Sequence, residues 1–428
     1  MTHWRRRLHQ GFNLQSGEGP AVAAGLLLFY LLFTGYFMLR PVRETMGVAA
    51  GVDNLQWLFT GTFIATLACL PLFGWLASKA RRRHILPWTY GFFAGNLLLF
   101  AVLFQRNPEH IGYARAFYIW LSVFNLLTIS LAWSVLADLF SPEQGKRLFG
   151  LLAAGASLGG LSGPVLGTVL VAPLGHAGLL VLAALALLGS IGATVYLQRW
   201  RDAQPHTPDQ ARGTSRPLGG NPFAGASAVL RSPYLMGIAL FVVLLASVST
   251  FLYFEQARVI SEAFPDRTRQ TQVFGLIDTV VQVLAILTQL FITGRLARRL
   301  GVGVLLVAVP LVMAVGFLWL ALAPVFAVFV VVMVVRRAGE YALVRPGREM
   351  LFTVIPAEDK YKAKNFIDTV VYRGGDALSG WLKRGLDVLG EHPQLAMLIG
   401  AAIALGWGLT GGWLGRRQRR LESRQASR

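Results

Sequence analysis

The residues of this chain best suited to chemistry are arginines and carboxylates set inside apolar stretches. Arg336 and Arg337 stand side by side with Glu340 a turn further on, and Asp368, Arg373 and Asp376 follow in the next apolar run. Arg40, Arg43 and Glu44 close the first such run, Glu255 comes late in another, and Asp278 sits inside a third. A guanidinium is a planar fork that binds two oxygens at once, which suits carboxylate and phosphate. Arginines delivered from several helices would clamp an anion, and acids beside them would reset the site, hold it closed or carry a proton. Adjacent helical residues point about 100° apart, so lipid cannot accept both Arg336 and Arg337, and at least one must face protein or water. Arg373 and Asp376 are three apart and can neutralise each other, whereas Asp368 and Arg373, five apart, do not share a face. Arg40 and Arg43 also read as interface residues whose long stems snorkel.

Other chemistries lack their residues. Gly155, Gly159, Gly163 and Gly167 recur every four positions, which is a helix-packing stripe, and no Gly-Lys-Ser/Thr follows to make a phosphate loop. The histidines are scattered, and the one cysteine, Cys69, excludes an intrachain disulfide. The expected site therefore has no catalytic residue, no metal and no cofactor. Arg40, Arg43, Arg336, Arg337 and Arg373 are its substrate contacts, and Glu44, Glu255, Asp278, Glu340, Asp368 and Asp376 its coupling or gating groups.

The elements that must position them are membrane helices. Of 428 residues, 54% are hydrophobic and 14% charged, against about 25% charged in a soluble domain, and the mean hydropathy is +0.54. These values exclude an ordinary cytosolic enzyme, a disordered chain and a secreted module. Twelve apolar stretches, near 20–39, 56–78, 84–104, 114–138, 148–171, 176–198, 234–257, 270–293, 302–321, 323–345, 364–385 and 394–414, lack the alternation of barrel strands and predict an all-α polytopic membrane protein of twelve transmembrane helices in two six-helix bundles. Alternate loops carry 30 and nine Lys plus Arg, which places both termini in the cytoplasm. The net charge of +19 is then mostly topology, and no nucleic-acid partner is expected. The basic clusters at Arg81–Arg83 and Arg416–Arg420 read as contacts with anionic lipid.

A Pro- and Gly-rich polar stretch divides the chain into an N-terminal bundle (1–198), a cytoplasmic linker (199–232), a C-terminal bundle (233–415) and a basic tail (416–428). The linker ends in a short amphipathic helix within Asn221–Arg231 lying on the membrane surface. Gly74-Trp-Leu-Ala-Ser-Lys-Ala-Arg-Arg-Arg83 and Gly294-Arg-Leu-Ala-Arg-Arg-Leu-Gly301 repeat one pattern at the same hairpin of each half. The pattern resembles the loop signature of the major facilitator superfamily, with Ser78 and Arg298 where that family carries Asp. Ile277-Asp-Thr-Val-Val281 and Ile367-Asp-Thr-Val-Val371 repeat inside the second half, as inverted three-helix units would.

Glu340-Tyr-Ala-Leu-Val-Arg-Pro-Gly-Arg-Glu-Met350, then Lys362-Ala-Lys-Asn-Phe-Ile-Asp-Thr-Val-Val-Tyr-Arg-Gly374, with Leu39-Arg-Pro-Val-Arg-Glu44 near the start, resemble in order and spacing the ATP/ADP translocase family of nucleotide antiporters. The resemblance implies a secondary transporter of a small anionic solute, nucleotides among the candidates, working by alternating access through exchange or ion coupling. The chain departs from that family where Asp376 replaces a lysine and where Leu121 and Tyr253 stand near acidic positions. A divergent monomeric member in a bacterial cytoplasmic membrane is expected, with substrate bound near mid-membrane between the halves. The alternatives are a proton-coupled exporter of drugs or metabolites on the same fold, a non-transporting membrane partner, and a membrane-embedded enzyme.

Overall fold

Long apolar runs in lipid have no water to satisfy their backbones, so each closes its hydrogen bonds within a helix. The computed structural model describes residues 15, 17–79, 82–203, 223, 225–389 and 393–426, and among these every regular element is helical. The first half comprises α1 (Gly19–Ala49), α2 (Leu55–Lys79), α3 (Arg82–Arg106), α4 (Ile111–Leu139) and α5 (Pro142–Asp202). The second half opens with α6 (Ala226–Arg231), α7 (Pro233–Ala263), α8 (Arg267–Thr288) and α9 (Gly294–Leu300). It continues through α10 (Val302–Leu322), α11 (Phe326–Gly339), α12 (Arg345–Leu351), α13 (Ala357–Phe366), α14 (Tyr372–Leu389) and α15 (Pro393–Ala426). Three π-helical turns, Gln289–Thr293, Glu340–Val344 and Ile367–Val371, join α8 to α9, α11 to α12 and α13 to α14.

Twelve crossings result, because α5 holds two and each π-linked pair makes one. Gly175, at φ 66°, supplies the left-handed residue at which α5 divides. By length and composition alone, eight helices qualify as spans, one of them running 56 residues over Arg147–Asp202. The α11–α12 and α13–α14 pairs fall outside that group because charged residues run through both, and so does α2, whose side chains from 72 onward lie outside the described residues.

Several boundaries differ from the sequence expectation. Pro41 does not end the first span: α1 continues to Ala49, so Arg40, Arg43 and Glu44 lie within a helix and not at its mouth. Breaking α1 in apolar surroundings would orphan more backbone groups than the one N–H that proline lacks, and Thr45 donates its hydroxyl to the Pro41 carbonyl at 3.1 Å. The basic tail is not separate from the last span, because α15 runs on to Ala426 through a stretch without Gly or Pro, rich in Arg, Gln and Glu. The linker helix covers only Ala226–Arg231; Asn221, Pro222 and Ala224 lie outside the described residues, as do Arg5–Arg7 and the side chains of 72–82, Ser78 among them.

The chain forms two compact units. Unit 1 holds 1–46, 72–219 and 266–279; unit 2 holds 47–71, 220–265 and 280–428. The start of α2 thus belongs with unit 2, and the start of α8 with unit 1. In unit 1 the glycine stripe of α5 lies on α1. A Cβ at Gly159 would stand 2.6 Å from the Tyr30 carbonyl oxygen and one at Gly163 2.8 Å from that of Thr34, while Gly155 meets Leu26 in the same way. In unit 2, α10 and α15 pack along each other and α7 packs on α14 and α15, around a core containing Phe241, Phe317, Phe352 and Trp407.

Candidate functional site

The charged residues fall into separate clusters, two in unit 1 and three in unit 2. In unit 1, Arg43 on α1 donates from Nε to the Tyr118 carbonyl (3.3 Å) and the Ser122 hydroxyl (3.2 Å) of α4, and from a terminal nitrogen to Glu44 Oε1 (3.0 Å). Its guanidinium carbon lies 3.8 Å from the Tyr118 ring centroid. Leu121, between these partners, is fully buried, so Arg43 meets an aromatic face and a hydroxyl on either side of it and no acid from that position. Glu44 Oε2 is buried and meets no hydrogen-bond partner among the described residues. Arg40 lies 3.7 Å from Asp278 of α8. Beside them the Thr271 hydroxyl is within 2.7 Å of that of Thr45 and 2.9 Å of His176 Nε2.

Unit 2 holds the largest cluster, assembled around Tyr372. Arg336 donates to Glu340 (3.0 Å) one turn along and to the Ser249 hydroxyl of α7 (2.7 Å). Glu340 also faces Arg345 at 3.8 Å, and the Arg345 guanidinium lies 4.4 Å from the Tyr341 ring centroid. Arg373 pairs with Asp376 at 3.5 Å, and Asp376 accepts from Thr250 at 3.4 Å. Glu340, Arg345, Arg373 and Asp376 all lie within Coulomb reach of the Tyr372 hydroxyl, and Arg337 within reach of Arg336. Arg336 and Arg345 thus meet at Glu340, and Arg373 meets Asp376. Arg336 and Arg337 are each 6% exposed, while the side chains of Arg373 and Arg345 are 28% and 57% exposed, so the cluster runs from a buried floor to an open edge. Two π-helical turns flank it, and such turns recur at functional sites because they re-aim side chains.

The remaining candidates serve elsewhere. Asp368 pairs with Arg348 at 3.1 Å, next to Lys364 and Glu349. Glu255 accepts from Arg258 (2.7 Å) and lies 3.0 Å from Lys383, which also contacts Asp387. Lys383, within the span expected over 364–385, is 3% exposed inside α14. Tyr253 packs edge-on to Phe59. Tyr372, Arg345, Ser249, Arg258 and Arg348 were missed as site residues. Arg258, Arg345 and Arg348 fall among loop cations in the sequence, and no local signal distinguishes Tyr372 or Ser249.

Residues 22–264, more than half of the chain, match the Major Facilitator Superfamily, and the protein belongs to that superfamily. Comparison with curated protein sequences finds no significant match. Solved structures share the fold across nearly the whole chain. A D323A mutant of the nucleoside transporter NupG aligns with TM-score 0.64 at 14% identity, over 92% of this chain and 99% of that one. A bacterial homologue of the iron transporter ferroportin aligns with TM-score 0.61 at 16% identity, over 92% and 98%. A POT family transporter in complex with 5-aminolevulinic acid aligns with TM-score 0.64 at 12% identity, over 92% and 96%. These matches support the superfamily and not the ATP/ADP translocases in particular. Family and fold are those of multi-pass membrane transporters and not of enzymes.

Proposed function

We propose that this protein is a secondary active transporter of a small anionic solute, with phosphorylated compounds, nucleotides among them, as the class to test first. The carrying observation is the Tyr372 cluster, in which Arg336 and Arg345 meet Glu340 and Arg373 meets Asp376, with Arg345 and Arg373 on its more exposed side. Ionisable groups inside a membrane mark substrate or ion pathways, and guanidinium forks suit the oxygens of an anion, so an anion is the natural occupant. Arg336, Arg337 and Arg373 contact it in this reading, and Arg40 and Arg43 are further candidate contacts. Glu340 and Asp376 hold the arginines between transport cycles, and Glu44, Glu255, Asp278 and Asp368 act in coupling or gating. Transport proceeds by alternating access, driven by exchange or an ion gradient, in a bacterial cytoplasmic membrane with both termini inside.

The test is uptake into proteoliposomes from a panel of nucleotides, phosphorylated metabolites and organic anions, each with a neutral analogue. Uptake of an anion but not its neutral analogue, lost in Arg373→Ala, is the expected result. Uptake confined to neutral or cationic compounds and driven by a proton gradient would instead place the protein among drug or metabolite exporters.

A further inference from the structure

At the end of unit 2 the linker helix, the 354–356 stretch with the start of α13, and the C-terminal helix meet. A cavity of about 470 Å³ opens there, lined by Ser227 and Arg231 of α6, Ser232, Asp359 of α13, and Arg417 and Leu421 of α15. We propose that it binds the phosphodiester of an anionic phospholipid headgroup.

Three features carry this inference. First, Arg231 and Arg417 come from helices far apart in sequence, converge on one cavity, and make no ion pair among the described residues. Two guanidinium forks and two serine hydroxyls are donors matched to phosphate oxygens. Two arginines against the one carboxylate of Asp359 leave a single positive charge, which balances a phosphodiester monoanion. Second, the walls are fixed in advance. Tyr234 donates to the Leu351 carbonyl at 3.0 Å, and Gln425 donates to that of Val354 at 3.1 Å. Ser232 caps α7 by accepting from Leu235 N–H at 3.3 Å. Gly225 lets α6 sit directly on the Lys362 carbonyl of α13. Third, the site stands where the α7 span begins at Pro233, the depth of a headgroup, and Leu421 supplies an apolar side for the glycerol and first acyl carbons. A water-soluble phosphodiester would present the same group to the arginines, so source and chemistry are tested separately.

The full chain, purified in a maltoside detergent without phosphate, is titrated with phosphatidylglycerol, with diacylglycerol lacking the headgroup, and with soluble glycerophosphoglycerol, while its melting temperature is read. The expected result is saturable stabilisation by phosphatidylglycerol alone. Arg231→Ala and Arg417→Ala should each weaken it about tenfold, the loss of one charge-assisted hydrogen bond. Arg416→Ala removes the same charge from the same helix but lies outside the cavity, with Nε on the Gly412 carbonyl, and should behave as wild type. Equal losses in Arg416→Ala and Arg417→Ala would reduce the effect to general attraction by a basic tail and overturn the site. Equal stabilisation by glycerophosphoglycerol would overturn the lipid assignment, and no stabilisation by either phosphodiester would overturn both. All three positions are exposed, so the substitutions leave the core intact.

Discussion

Thr293 donates its hydroxyl to the Ala342 carbonyl across 2.7 Å, from one π-helical turn to another. Gln289, at the start of the same turn, donates to the neighbouring Tyr341 carbonyl at 3.0 Å. A π-helical turn shifts the backbone register and leaves carbonyls without their usual partners. Here side chains from the span-eight turn satisfy those freed by the turn that carries Glu340. The joint therefore sets the orientation of the helix segment bearing Arg336, Glu340 and Arg345, although neither Gln289 nor Thr293 carries charge.

Replacing Thr293 with Val keeps its shape and removes both of its hydrogen bonds, to Ala342 and to Thr288. A buried carbonyl left unsatisfied costs about 1–3 kcal/mol. The expected outcome is a lower melting temperature together with weaker binding of the proposed anionic substrate. A lower melting temperature with unchanged anion affinity would show that the joint stabilises unit 2 without positioning its arginines.

The stripe in α5 predicts a steric requirement. Gly159→Leu or Gly163→Leu would drive side-chain atoms into the α1 backbone, where even a Cβ stands 2.6–2.8 Å from carbonyl oxygens. Overpacking of this kind costs about 1–3 kcal/mol or more, and no flexible neighbour can yield. Both variants should be lost from the monodisperse fraction in size-exclusion chromatography. Gly192→Ala, at a position with open space around its Cβ, should elute as wild type.

That stripe was legible in the sequence because period and residue size alone specify it, and the crossings were legible because apolar length specifies them. Pairings were harder to read. Arg373 with Asp376 and Arg336 with Glu340 follow from helical spacing, but Arg40 with Asp278 joins residues 238 positions apart. The π-helical turns have no residue signature, so the convergence of Arg345 and Tyr372 on Glu340 was hidden. Lys383 gave no local signal of its burial, which Glu255, 128 positions away, and Asp387 permit inside α14.

The start of α1 is tied to the start of α5 by Glu18, which accepts from Arg147 at 2.8 and 3.2 Å and from Gln144 at 3.0 Å. Burial pushes the Glu18 carboxyl up, and the hydrogen bonds from Arg147, Gln15 and Gln144 outweigh it, so it rests below its ordinary value. A carboxyl held lower in the folded than in the unfolded state contributes stability above its unfolded pKa, and that stability is lost as pH falls through the folded pKa. Melting temperature should therefore drop as pH is lowered from about 5 towards 3, and the drop should shrink in Glu18→Gln. Identical acid sensitivity in both proteins would remove Glu18 as a contributor.

Lys383 and Glu255 make the sharpest test of a buried pair, because both are nearly inaccessible, at 3% and 6% exposure. Lys383→Met removes the ammonium and leaves Glu255 with Arg258 alone. Breaking a buried ion pair from one side costs about 3–5 kcal/mol, whereas replacing both charges with packed neutral groups is often close to neutral. Lys383→Met should therefore lower the midpoint of denaturation sharply, and Lys383→Met combined with Glu255→Gln should recover part of that loss. Transport separates the structural from the coupling role of Glu255. A double variant that folds and still concentrates anion against a gradient assigns the pair to stability. One that folds and only equilibrates the anion assigns Glu255 to coupling. Additive losses in the two single variants would show instead that the charges act independently, despite the 3.0 Å between them.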